Sequence, residues 1–119
     1  MWIYEQSSGE LSRCGVAVKG YSGYGRGKNN PSMQAAVGVG PIPAGKWIIG
    51  APYNSPNTGP FTLTLTACEG TETFGRTDFR IHGDSISHPG EASHGCIIMP
   101  RKTREQVWTS GDRDLTVIA

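Results

Sequence analysis

The chain has no marked excess of either charge: eleven Lys and Arg face ten Asp and Glu, for a formal net charge of +1 over 119 residues. The cations are scattered, and the densest run, Arg101-Lys102-Thr103-Arg104, fits a solvated helix start. A nucleic-acid reader concentrates its cations on one face, so no nucleic-acid partner is expected. Also missing is any stretch near the roughly 20 apolar residues that span a bilayer, which argues against a membrane-embedded chain. Met1-Trp2-Ile3-Tyr4-Glu5-Gln6 has neither a basic leader nor an apolar core segment, so it is no secretory signal as written. Cysteine is scarce. Cys14, Cys68 and Cys96 cannot all pair, and their spacing matches neither a metal knuckle nor Cys-x-x-Cys. At least one thiol is therefore free, while a Cys14–Cys68 disulfide stays open for an oxidising compartment.

Glycine and proline are plentiful. The chain holds 17 Gly and 8 Pro with no tripeptide period, which calls for short strands joined by many turns. Its length suits a single domain spanning residues 1–119. Residues 2–6 and 11–18 form an expected hairpin around Ser7-Ser8-Gly9-Glu10. Residues 20–40 form a long glycine-rich loop carrying Tyr21 and Tyr24, with one helical turn expected after Pro31. Lys46-Trp47-Ile48-Ile49 is a short apolar strand. Phe61-Thr62-Leu63-Thr64-Leu65-Thr66-Ala67 alternates without a miss and is expected to turn Phe61, Leu63, Leu65 and Ala67 to the core. Phe79 and Ile81 alternate with Arg80 and His82, so His82 points away from the core. A strand at 96–99, a helix at 101–110 bounded by Pro100 and Gly111, and a last strand at 115–118 complete the pattern. The sum is a mainly β domain of about seven strands with one short helix.

Chemistry concentrates between residues 82 and 96. That segment holds all three histidines (His82, His88, His94), Asp84, Glu91, Ser93 and Cys96 preceded by Gly95. Cysteine is a nucleophile only as thiolate and needs a base or a cation beside it. His82, at a strand end before Gly83, is the candidate base. A glycine before Cys96 lets backbone approach closely and leaves amides to face an oxyanion. His88, beside Pro89, suits a structural role, and Cys14 and Cys68 read as small hydrophobes in or beside apolar strands. Two other classes compete. A zinc-dependent peptidase could draw ligands from His82, Asp84, His88, His94 and Cys96, although their spacing matches no His-Glu-x-x-His pattern. A non-catalytic binding module would use the same cleft without turnover.

Ile81-His82-Gly83 followed by Ser93-His94-Gly95-Cys96-Ile97 resembles the signature of the L,D-transpeptidases. Pro43-Ala44-Gly45-Lys46-Trp47-Ile48-Ile49 is similar to that family's proline-glycine strand, with Ile42 where threonine is usual, and Leu115-Thr116-Val117-Ile118 is similar to its last strand. Trp2-Ile3-Tyr4 and the loop from Gly20 to Pro31 resemble a compact subgroup, the L,D-transpeptidase-like toxins of type VI secretion. The resemblance implies a β-sandwich or barrel with one short helix, no cofactor and no metal. It implies a cysteine enzyme acting on peptidoglycan tetrapeptide stems, as an L,D-carboxypeptidase or by exchange of the terminal D-alanine. It further implies delivery into a target-cell periplasm and a cognate immunity protein as partner. On this basis Cys96, His82, Ser93, His94 and Gly95 are the expected catalytic group. Gly83, Arg80, Tyr21, Tyr24 and Trp47 are the expected substrate contacts. Ile98 departs from the family, which commonly has Arg or Asn there, so substrate carboxylate binding falls to Arg80, Arg101 or Lys28. The segment between His82 and Ser93 is also shorter than usual, implying a more open site.

Overall fold

The alternating run around Leu63 becomes the second-longest strand of the molecule, β6 (Gly59–Ala67), in a computed structural model that describes residues 1–119. Before it come β1 (Trp2–Glu5), β2 (Glu10–Arg13), β3 (Val16–Lys19), β4 (Tyr21–Ser22) and β5 (Gly45–Ser55). After it come β7 (Arg80–His82), β8 (Ile97–Ile98), helix α1 (Arg101–Thr109) and β9 (Asp114–Ile118). Two single 3₁₀ turns, Gly25–Gly27 and Pro31–Met33, lie in the long loop.

All strands join one sheet in the order β3-β2-β1-β9-β5-β6-β7-β8-β4. Pairing is antiparallel except between β1 and β9 and between β7 and β8. The two end strands, β3 and β4, are consecutive in the chain with only Gly20 between them, so the sheet curls into a nearly closed barrel. Closure is tight. The Gly20 amide donates to the Gly9 carbonyl at 2.8 Å. A Cβ at Gly20 would stand 1.8 Å from the Ile98 carbonyl.

Inside lie Tyr4, Leu11, Ile42, Trp47, Ile49, Leu63, Ile81, Ile97 and Leu115, each 2% exposed or less. Burying a side chain of this size stabilises by about 1.5–3 kcal/mol. A nine-residue helix is too short to stand alone. Helix α1 is held by its buried face of Thr103, Arg104 and Val107, and Gly111 just beyond it takes φ +75°. No helix is long and apolar enough to cross a membrane.

Several expectations need correction. The stretch 11–18 is two strands, because Cys14 (φ 46°) and Gly15 (φ 83°) both turn left-handed between them. Cys14 is therefore exposed at a turn rather than buried in a strand, and all three thiols are free. The strand expected at 46–49 runs on through Ser55, passing Pro52 at a register shift after Ile49. A bulge tolerates the proline because its nitrogen has no hydrogen to donate. The alternation of β6 also slips at its start. Phe61 takes φ 52° and is only half-buried, while Thr62 is fully buried with its hydroxyl donating to Gly59. Leu63 and Leu65 face the core as the pattern demands.

Gly20→Ala should lower the stability of the fold by about 3 kcal/mol, at the upper end for overpacking, because backbone rather than a mobile side chain meets the added methyl. Gly15→Ala, where nothing lies within 4 Å, should cost about 1 kcal/mol from the left-handed backbone alone. Urea midpoints of the two variants compare them; equal midpoints would contradict the closure described.

Candidate active site

His82 ends β7 and Cys96 immediately precedes β8. The strands pair in parallel, Ile81 against Ile97 and His82 against Ile98. Side chains alternate across a sheet, so Ile81 and Ile97 enter the core while Arg80, His82 and Cys96 share the other face. All three line one cleft of about 900 Å³, together with Tyr24, Gly83, His94 and Gly95. The imidazole and the sulfur are not hydrogen-bonded to each other. His82 Nδ1 is 2.8 Å from the Gly83 carbonyl, and Cys96 Sγ is 3.5 Å from the Asp78 carbonyl. A carbonyl only accepts, so Nδ1 carries a proton and Nε2 is left with its lone pair.

Burial pulls the His82 imidazole below its ordinary value; the Arg104 and Arg80 guanidiniums act in the same direction, and the Gly83 carbonyl and Asp84 oppose it. Burial pushes the Cys96 thiol up, Asp78 adds to the rise, and Arg80 opposes it through both its backbone and its side chain. Desolvation thus favours an uncharged thiol and an uncharged ring in the free protein.

The turn before Cys96 is held from both sides. The buried Ser93 hydroxyl donates to the Cys96 carbonyl at 2.6 Å and accepts from the amides of Gly23 at 2.9 Å and Gly95 at 3.2 Å. From β4, the Ser22 hydroxyl donates to the Gly95 carbonyl at 3.1 Å. The Gly95 amide is thereby occupied, whereas the Cys96 amide makes no hydrogen bond within the protein. His94 sets its Nδ1 2.9 Å from the Gly38 carbonyl and its ring 5.4 Å from that of Tyr24.

Two arginines explain the two glycines of the motif pair. Gly95 has φ +141°, and a Cβ there would stand 2.5 Å from Arg76 Nη2. Arg76 donates to the carbonyls of Gly40 and Pro41 at 2.8 Å, and to that of His94 at 3.3 Å. It thereby ties the long loop to the cysteine turn. A Cβ at Gly83 would stand 3.0 Å from Arg104 Nη1, which donates to the Met99 carbonyl at 2.7 Å. Sequence reasoning missed Arg76, Arg104 and Ser22. No periodicity marks them, since each works through backbone carbonyls that only the fold brings within reach.

Other expected contacts fall elsewhere. Trp47 is a core residue, 1% exposed, with its ring edge-on to Phe79 and its Nε1 donating to Pro43. Tyr21 does not line the cleft; its hydroxyl donates to Asp84 at 2.5 Å, accepts from the Ala92 amide at 3.0 Å, and so staples the segment that follows His82. Lys28 sits over the Tyr21 ring, and Arg101 lies over Phe61 and pairs with Glu105. Arg80 is the one of the three expected carboxylate partners that lines the cleft. His88 lines it too, beyond the structural role expected of it. No three of the His, Cys, Asp and Glu side chains converge as metal ligands.

A polar cleft in a small β protein, with a cysteine and a histidine on one wall, defines the molecule. The chain belongs to the Tlde1 domain family, whose model matches residues 16–117. It is accordingly a type VI secretion effector toxin domain, of a class of enzymatic toxins secreted into target cells and met by cognate immunity proteins. No curated protein and no solved structure matches the chain.

Ser93→Ala strands two amides, those of Gly23 and Gly95, where the Ser93 hydroxyl was buried. The variant should lose about 2–3 kcal/mol of stability, measured by chemical denaturation. An unchanged midpoint would show that the hydroxyl does not brace the turn.

Proposed function

We propose that the domain is a peptidoglycan-modifying acyl-transfer enzyme, an L,D-carboxypeptidase or L,D-transpeptidase acting on tetrapeptide stems in the target-cell periplasm. One observation carries this reading: Cys96 and His82 stand on the same face of β7 and β8 in one cleft, with the histidine held so that Nε2 is free.

In the first step Nε2 of His82 takes the thiol proton of Cys96, and the thiolate attacks the carbonyl on the L-side of the scissile bond. The unpartnered Cys96 amide is the backbone donor available to the oxyanion. Such a donor contributes about 3–4 kcal/mol in comparable sites. The amine of D-alanine leaves with the proton held on His82. Water or another D-amino acid then resolves the thioester and returns the thiol. Ser93 and Gly95 shape the turn, His94 and Tyr24 wall the groove, and Gly83 and Arg80 border the leaving-group side, where Arg80 offers its guanidinium to a carboxylate.

Cys96→Ala and His82→Ala should each cut D-alanine release from tetrapeptide muropeptides by at least about 10³-fold with circular dichroism unchanged. Mass spectrometry of the digest reads the loss, and release at the unmutated rate by either variant would falsify the assignment. The base works only when neutral and its pKa lies below 6.5, so activity should persist below pH 6.5 and fall only through the lowered value. A kcat/KM limb centred above 6.5 would point to a different base.

A further inference from the structure

The register that aligns Ile81 with Ile97 also sets the residues before them, Arg80 and Cys96, directly across from each other on the cleft face. The Arg80 guanidinium is not loose. Its Nε donates to the Tyr53 hydroxyl at 2.7 Å, and Nη1 donates to the Asp78 carbonyl at 3.3 Å. The same carbonyl is 3.5 Å from Cys96 Sγ, so guanidinium and sulfur converge on one atom. Tyr53 reaches this point from β5. It lines a second groove of about 300 Å³ that shares the wall 76–80 with the cleft, and it does not line the cleft itself.

The other charges around the sulfur are placed differently. Arg76 also bears on Cys96 electrostatically, but its guanidinium is hydrogen-bonded to backbone carbonyls of the long loop and of His94. The Asp78 carboxylate, 76% exposed, disfavours a thiolate. His82 belongs to the same strand as Arg80 and is the proton's destination, while His94 is turned to Gly38 and Tyr24. We propose that Arg80, held in place by the Tyr53 hydroxyl, is the cation that stabilises the Cys96 thiolate, with Tyr53 as a positioning residue outside the cleft. The inference rests on Cys96 being the nucleophile. The step is a proton transfer alone: the S–H bond breaks, the proton goes to His82 Nε2, and the sulfur's negative charge lies against the guanidinium.

The test uses iodoacetamide as the probe and follows its second-order reaction with Cys96 across pH. The Cys96 peptide is quantified by mass spectrometry, so that Cys14 and Cys68 do not interfere. In Arg80→Gln the apparent thiol midpoint should rise by about one unit, as expected for loss of a nearby opposite charge. In Tyr53→Phe it should rise by a smaller amount, and Arg80→Lys should retain most of the unmutated value. Tyr53 is exposed and loses one hydroxyl, so this variant decides the positioning role whether or not Arg80→Gln folds, and Arg80→Met, which keeps the apolar stem, decides the cation's role if Arg80→Gln does not. A Tyr53→Phe midpoint equal to the unmutated one overturns the positioning role, and an Arg80→Gln midpoint equal to it overturns the cation's role. Alkylation needs no turnover. Shifted midpoints in a protein inert toward muropeptides would refute the acyl-transfer function and leave this inference standing.

Discussion

The parallel pairing of β7 with β8 is the constraint on which the rest depends. Ile81 and Ile97 are fully buried and locked side by side, and a slip of one residue in either strand would turn its own isoleucine to the cleft. That core pair decides that Arg80, His82 and Cys96 face outward together. Parallel strands need a crossover between them, and the segment 83–96 supplies it without a helix. It is held instead by Tyr21 on Asp84 and Ala92, and by Ser93 on Gly23, Gly95 and the Cys96 carbonyl.

Two buried arginines do what carboxylates and helices do elsewhere. Arg76 and Arg104 are 6% and 4% exposed, form no salt bridge, and donate to backbone carbonyls. A charge taken from water is costly unless its donors are satisfied, and here carbonyls of loops and of Pro60 and Phe61 at the irregular start of β6 satisfy them. Each guanidinium packs against one motif glycine, Arg76 against Gly95 and Arg104 against Gly83. The glycines next to His82 and Cys96 are thus explained by what lies behind them as much as by what they expose. Both cations also act electrostatically on groups of the cleft: Arg104 lowers the His82 pKa, and the Arg76 guanidinium and the Cys96 sulfur interact.

Much of the β architecture was legible in local pattern. The alternation through Leu63 and Leu65, the terminator Pro100, and the helix ending near Gly111 are consequences of side-chain periodicity and fixed backbone preferences. The Cys14-Gly15 turn was not legible, because a cysteine in a left-handed conformation leaves no compositional signal. Nor was the true place of Trp47, since an aromatic residue in an apolar strand suits a groove as well as a core.

By itself, then, the sequence determined a mainly β chain and the clustering of all three histidines with Cys96 in one short segment. These follow from residue type and spacing, which are local properties. Only the tertiary structure decided that Arg80 stands opposite Cys96, that Tyr53 holds it from another strand, and that Tyr21 braces a segment instead of lining the cleft. Those relations join residues far apart in the chain, and strand register and barrel closure, not neighbouring residues, bring them together.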